Sequence, residues 1–326
     1  MTLYAPTAAQ PPKTRIAALD AARGLAIVAM VVYHFCWDID FFGLVAWNID
    51  DGTGWKVFRV LIAGSFLFLV GVGLVLAHHA GFRREVFWRR LAFIAMGALA
   101  VSLATAIVIP QSFVFFGILH AIAVYSVFGL AFLRLRWWFC LAVAALIFAV
   151  DALVALEFMA WPGLSWIGLG WPPPDTVDFE PVFPWFAPVL MGMAFAKLGL
   201  PELLRTWPAS GPAGRALGWS GRNSLLIYLV HQPVLFGGLW LVVSVFGFGP
   251  SERDRFVAQC EASCSPADFG DACPAFCQCL GDEVETIGVL GVADYASLDA
   301  DQRVLFDMAL QSCRSEAIGG TGAGGG

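Results

Sequence analysis

Charge is scarce in this chain. Of its 326 residues only 13% are Asp, Glu, Lys or Arg, whereas 59% are hydrophobic and the mean hydropathy is +0.74. That balance excludes the pair of soluble domains that the length alone would suggest. Motifs for nucleotide and metal chemistry are missing as well: there is no phosphate loop, no HExxH and no Ser nucleophile elbow. The close glycines at Gly71-Val-Gly73 and Gly192-Met-Gly lie in apolar runs, where small residues serve helix packing. A cleavable leader is not evident either, because the first fifteen residues are polar and Pro-rich. The first apolar run is therefore expected to act as its own insertion signal.

What the chain has instead is long apolar runs. About 20 such residues let a helix cross the hydrocarbon core, and seven runs approach that length: Gly24–Trp37 extended back to Ile16, Phe58–Ala77, Leu91–Ile109, Phe113–Leu133, Trp137–Phe158, Phe183–Leu198 and Leu225–Phe248. Pro184 and Pro188 interrupt the sixth, which leaves room for re-entrant half-helices. The expected fold class is an all-α polytopic membrane protein of about seven transmembrane helices with a small disulfide-linked helical C-terminal domain. Residues 1–15 are read as a disordered cytoplasmic N-terminus, 16–249 as the membrane bundle, 250–316 as an acidic Cys-rich periplasmic domain, and 317–326 as a Gly-rich flexible tail.

Loop charge gives an orientation. Lys and Arg collect on the cytoplasmic side of short loops. With the N-terminus inside, thirteen of the fifteen basic residues before position 250 fall inside, Lys56 and Arg59 being the exceptions. The acids Asp38, Asp40, Asp50, Asp51, Asp175, Asp178 and Glu180 fall outside. Seven spans then put the C-terminus outside. The tail agrees, since six of the eight cysteines lie beyond residue 250 and cysteine-dense small domains belong to oxidising compartments.

Within the tail, Cys260-x3-Cys264 and Cys273-x3-Cys277 each place two thiols one helical turn apart. Two such helices laid antiparallel would oppose Cys260 to Cys277 and Cys264 to Cys273, leaving Cys279 and Cys313 for a third bridge. Six cysteines allow fifteen connectivities, so this pairing is a hypothesis from helical geometry. The rival is a metal site, against which stand the absence of histidine from the tail and a spacing wider than Cys-x2-Cys; no metal is expected. Residues 298–310 read as an amphipathic helix, apolar at Val304, Leu305, Met308 and Leu310.

Five histidines exist, and three lie within apolar runs: His34, His120 and His231. Ionisable groups at membrane depth usually face a bundle interior or a wet cavity. On the first run, Arg23 and His34 share a helical face about 16 Å apart, and Asp38 follows His34 by one turn, where it could fix the imidazole tautomer. Ser224, Tyr228 and His231 share a face of the last run, and Pro233 should bend it just beyond. Each histidine alone is explained equally by an interhelical hydrogen bond. His78 and His79 are read as surface residues beside a basic loop, and Asp151 as a supporting or protonated acid in the fifth run.

Several motifs then occur in order: Leu19-Asp-x-x-Arg-Gly-Leu-Ala, Tyr33-His-Phe, Phe66-Leu-Phe-Leu-Val-Gly, Phe116-Gly-Ile-Leu-His, Phe183-Pro-Trp-Phe, and Gly221-Arg-Asn-Ser-Leu-Leu-Ile-Tyr-Leu-Val-His-Gln-Pro. From about residue 15 to 245 the chain resembles bacterial membrane proteins of the heparan-alpha-glucosaminide N-acetyltransferase catalytic-domain family, within the transmembrane acyltransferases. The resemblance does not reach the cysteine tail. It implies transfer of an acetyl group from cytosolic acetyl-CoA to a periplasmic acceptor, a glycan amine or hydroxyl or another small molecule. Lysosomal members carry the catalytic histidine in the loop after the first span. Here residues 38–56 hold no histidine, and the nearest is His34, inside the helix.

The expected roles follow from both lines of reading. His34 is the base or acyl acceptor with Asp38 orienting it, and His120 and His231 are its rivals. Arg23, Arg222, Asn223 and Tyr228 are the expected acetyl-CoA contacts. The expected setting is a bacterial inner membrane, with the bilayer, the acceptor, an envelope protein at the C-terminal domain or a second copy of the chain as partners, and no nucleic acid. Two other functions fit the sequence: a proton-coupled transporter or flippase that uses the histidines and Asp151, and a scaffold that presents the cysteine domain.

Overall fold

A computed structural model describes residues 16–45, 47, 49, 52–78, 81–206, 211–247, 251–264, 272–290 and 298–320. The expected disordered N-terminus, most of the Gly-rich tail, His79, Asp50 and Asp51 lie outside them. Among the described residues there are helices and no strands. They are α1 (Ala17–Phe41), α2 (Thr53–His78), α3 (Arg84–Val108), α4 (Ile118–Phe132), α5 (Trp137–Leu153), α6 (Val182–Lys197), the short α7 (Leu200–Leu203), α8 (Pro212–Arg222), α9 (Ser224–Phe246), α10 (Glu252–Ser263), α11 (Cys273–Ile287) and α12 (Ala300–Gly320). The chain forms two compact units: Met1–Asp38 with Asn48–Gly238, and Ile39–Trp47 with Leu239–Gly326.

Each of the seven expected runs contains a helix. Four of them, α1, α2, α3 and α9, are long and apolar enough to cross a membrane, and this is a membrane protein. The pair α6 with Leu200–Thr206, bent by 67° at its break, brings the number to five. The other two are shorter than expected. At 15 and 17 residues, α4 and α5 rise about 22 and 26 Å, less than the roughly 30 Å hydrocarbon core. The start of α4 is displaced because Phe113–Gly117 is extended and pairs elsewhere: Phe116 bridges Phe179, and the Thr176 hydroxyl donates to Phe113 O at 2.8 Å. The sixth run, weakened by its prolines, leaves helical geometry at Phe183 and is helical again through Pro188. α9 continues through Pro233.

The core of the first unit is built on α6, which packs most closely against α2 and α5. Leu67, Ala187, Val189, Leu190 and Met193 are fully enclosed there with Tyr125 and Cys140. Van der Waals packing must hold these helices, since lipid tails are as apolar as leucine. Glycines supply the close approach. A methyl built on Gly71 would lie 2.0 Å from Val189 O, and one on Gly192 would lie 2.0 Å from Phe68 O. α1 and α8 cross in the same way, through Gly24 against Leu217 O and Gly221 against Asp20 O.

The second unit contains three disulfides: Cys260–Cys277, Cys264–Cys273 and Cys279–Cys313. α10 starts with a reciprocal cap between Ser251 and Asp254. Asp299 and Gln302 exchange hydrogen bonds in the same manner before α12, at 2.8 and 3.1 Å. Phe276, Leu280 and Val284 of α11 meet Ala309, Cys313 and Ala317 of α12 in the core. Of the four apolar positions of the amphipathic helix, Leu310 packs against this core, whereas Val304, Leu305 and Met308 are exposed. The Cys279–Cys313 bond turns inward the face that carries residues 309, 313 and 317.

Candidate functional site

Five polar side chains converge where α1 meets α9. The rings of His34 and His231 lie edge to face with centroids 4.9 Å apart. One residue beyond His231, the Gln232 amide donates from Nε2 to Asp38 Oδ1 at 2.7 Å. Tyr228, one turn before His231, places its ring 5.7 Å from that imidazole and packs with Ile27, Met30 and Ile62. Helical spacing explains the convergence. His34 and Asp38 stand four apart on α1, while Tyr228, His231 and Gln232 stand three and four apart on α9, so each helix offers one polar stripe to the other.

Asp38 is fully buried. Its contact with Gln232 differs from the expectation that it would orient His34. His231 Nδ1 lies 2.6 Å from Tyr228 O; since a carbonyl only accepts, Nδ1 carries the proton and Nε2 keeps its lone pair. Three buried atoms of this cluster have no hydrogen-bond partner: Asp38 Oδ2, Gln232 Oε1 and His231 Nε2. All three are acceptors. Leaving a buried acceptor without a donor costs about 1–3 kcal/mol, so the site suits a molecule rich in N–H or O–H groups.

A second polar layer lies where the α5–α6 connection meets α4. Asp178 Oδ2 accepts from Ile118 N at 2.9 Å, at the first turn of α4. The Tyr125 hydroxyl donates to Glu180 O at 2.7 Å, and Glu180 N donates to Phe116 O. Glu180 is 4% exposed with Oε2 unpartnered. Burial pushes the Glu180 carboxyl well above its usual range, the Asp178 charge adds to the effect, and Arg59 opposes it. Burial also raises Asp178, against the Ile118 amide and Arg59.

His120 belongs to neither layer. It lies 3.3 Å from the Ser102 hydroxyl and stacks on Phe116, an arrangement that anchors α3 to α4. Of the expected donor contacts, Arg23 pairs with Asp20 at 3.2 Å, and its Nη2 lies against Gly73, where a methyl would approach it to 3.1 Å. Asn223 donates from its side chain to Trp219 O and so closes α8. Arg222 is exposed beside Gly218, and Tyr228 sits among the histidines rather than near Arg23. Asp151 is exposed on α5. Sequence reasoning passed over Gln232 and Glu180. Gln232 had a signal in its place next to His231 and before Pro233; Glu180, between Phe179 and Pro181, had only its apolar neighbours.

Among the described residues no group of three or more His, Cys, Asp or Glu side chains is placed to hold a metal ion. A family model described as heparan-alpha-glucosaminide N-acetyltransferase, catalytic, matches residues 15–233. No curated protein and no solved structure matches the chain.

Proposed function

Because the chain belongs to the heparan-alpha-glucosaminide N-acetyltransferase catalytic-domain family, we propose that the His34–His231 cluster transfers an acetyl group from acetyl-CoA to an amine or hydroxyl acceptor. The donor enters from the end of the bundle that holds Arg23, and the acceptor from the end that holds Asp38. The observation that carries this reading is the set of three unpartnered buried acceptors, Asp38 Oδ2, Gln232 Oε1 and His231 Nε2. An amine or hydroxyl nucleophile supplies the donors they need.

In this mechanism the acceptor's N–H or O–H points at His231 Nε2. As its lone pair attacks the thioester carbonyl, the proton moves to the imidazole, whose other nitrogen is already held by Tyr228 O. The C–S bond then breaks, and the departing thiolate takes the proton from His231. His34, in ring contact, packs the imidazole in place and is near enough to carry the acetyl group should transfer run in two steps. Asp38, held by Gln232, is the buried anion that receives the acceptor's remaining N–H or O–H groups.

The test uses purified protein in nanodiscs, acetyl-CoA and a panel of amino sugars and sugar alcohols, with free thiol as the readout. Thiol release that needs an acceptor and falls about 10²–10⁴-fold in His231→Ala and in His34→Ala is the expected result. Release that is unchanged in both variants overturns the assignment of the site. His120→Ala, which alters only the α3–α4 anchor, is expected to change turnover less than tenfold.

A further inference from the structure

The fifth apolar run outlasts its helix. α5 stops at Leu153, and the connection to α6 that follows exposes Phe158, Trp161 and Trp171, at 63, 66 and 65%. Residues 154–181 contain no Lys or Arg, and of their four acids Asp178 and Glu180 are bonded into the second polar layer. A connection facing water would carry charge where this one carries large aromatic rings.

The connection is nonetheless a folded body. Leu156 N donates to Leu169 O at 2.8 Å beside the Leu156–Gly170 bridge, and a methyl on Gly170 would lie 2.6 Å from Ala160 N. The stretches that carry Phe158, Trp161 and Trp171 are thus drawn together. Two 3-10 turns, Glu157–Ala160 and Ser165–Ile167, satisfy amides locally, and Pro162, Pro172, Pro173, Pro174 and Pro181 have none to satisfy. Ser165 is buried, and the Trp166 ring lies 6.0 Å from that of Phe116, which fastens the body to the core. Irregular backbone is tolerated at membrane depth only where its polar groups are satisfied in this way.

The length of α5 says where this body sits. Trp137 and Trp138, exposed just after Arg134 and Arg136, give the start of the helix the aromatic and basic pattern of a membrane interface. From there α5 rises about 26 Å, short of the roughly 30 Å hydrocarbon core. The residues after Leu153 must therefore complete the crossing. Asp151 is exposed near the end of α5, which places that end close to the head groups rather than deep in hydrocarbon. Rings with an apolar body and an N–H, such as those of tryptophan, suit that depth.

We propose that residues 154–171 form a pad seated in the membrane interface at the end of α5 remote from Arg136, with Phe158, Trp161 and Trp171 embedded among the lipid head groups. The inference is independent of the acyltransfer reading.

The experiment places the photoreactive residue p-benzoylphenylalanine at position 161, 171 or 175 of the full chain in phosphatidylcholine liposomes, and reads adducts by intact mass. Lipid adducts at 161 and 171, and none at 175, are the expected result, because Asp175 is exposed beyond the pad. Covalent dimers at 161 or 171 in place of lipid adducts mean that a second copy covers the pad. No adduct of either kind means that it faces water. Either outcome overturns the proposal. If a photoreactive variant fails to fold, tryptophan emission decides instead. Trp161→Phe/Trp171→Phe is expected to lose part of the quenching by nitroxide-labelled lipids and to keep its quenching by aqueous iodide. The reverse pattern overturns the proposal.

Discussion

Gln232 donates to Asp38 across 194 positions of chain, at 2.7 Å, and this bond joins the first helix of the bundle to the last. Asp38 is fully buried and accepts from Gln232, so the bond compensates for removing a carboxylate from water. Gln232→Leu is expected to destabilise the bundle by about 2–3 kcal/mol, because it orphans a buried group. Asp38→Leu combined with Gln232→Leu should cost less than the two single variants added together, since neither partner is then left unpaired. Unfolding midpoints in nanodiscs measure both; simple additivity would show that the bond contributes nothing.

That bond also marks how far the sequence could be read. The helices were legible because apolar length is a local property, and the disulfides because two Cys-x3-Cys pairs place their thiols on single helical faces. His34 stood out by sharing a face with Arg23. Its surroundings did not, because Gln232, His231 and Tyr228 arrive from the far end of the chain. The expectation that Asp38 would hold His34 followed from i, i+4 spacing, and the tertiary partner Gln232 took its place. α4 is shorter than its apolar run for the same kind of reason: residues 113–117 are as apolar as the helix, and their pairing with residues 176–180 keeps them extended. In α12 the periodicity of Val304, Leu305 and Met308 lost to a covalent constraint at Cys313.

The α2–α6 crossing depends on having no side chain at two points. At Gly192 a methyl would meet the carbonyl oxygen of Phe68 at 2.0 Å, and a backbone atom cannot swing aside. Gly192→Ala should separate the helices at the centre of the core and cost about 1–3 kcal/mol. Gly64→Ala is the control. It lies on α2, the helix that α6 crosses, with nothing within 4 Å of the added carbon, and should be neutral or stabilising by up to about 1 kcal/mol. Equal unfolding midpoints for the two variants would contradict this account of the crossing.

Glu180 should make the stability of the bundle depend on pH. Its carboxyl is raised in the folded state by burial, then by Asp178, against Arg59. The contribution of such a group is fully present below its unfolded value, about 4.3, and is lost as pH rises through the folded-state value. The melting midpoint is therefore expected to fall as pH increases above about 4.3, and Glu180→Gln should flatten that slope. Melting curves at a series of pH values decide it; a variant with the same slope as wild type would show that the titrating group lies elsewhere, with Asp178 the next to replace.

The Cys279–Cys313 bond closes 34 positions and ties α11 to α12. By loop-closure entropy a link of that length is worth about 4 kcal/mol, against about 2.6 kcal/mol for the nine-position Cys264–Cys273 link. Replacing Cys279 and Cys313 by serine should accordingly loosen α12 more than replacing Cys264 and Cys273, although the latter pair lies closer in sequence. Hydrogen exchange reads this directly. Amides of α12 around Ala309 and Ala317, which line the core of that unit, should lose protection in the first variant, while those of α2 and α6 keep theirs. Loss of protection in α2 and α6 as well would mean that the two units fold as one cooperative body.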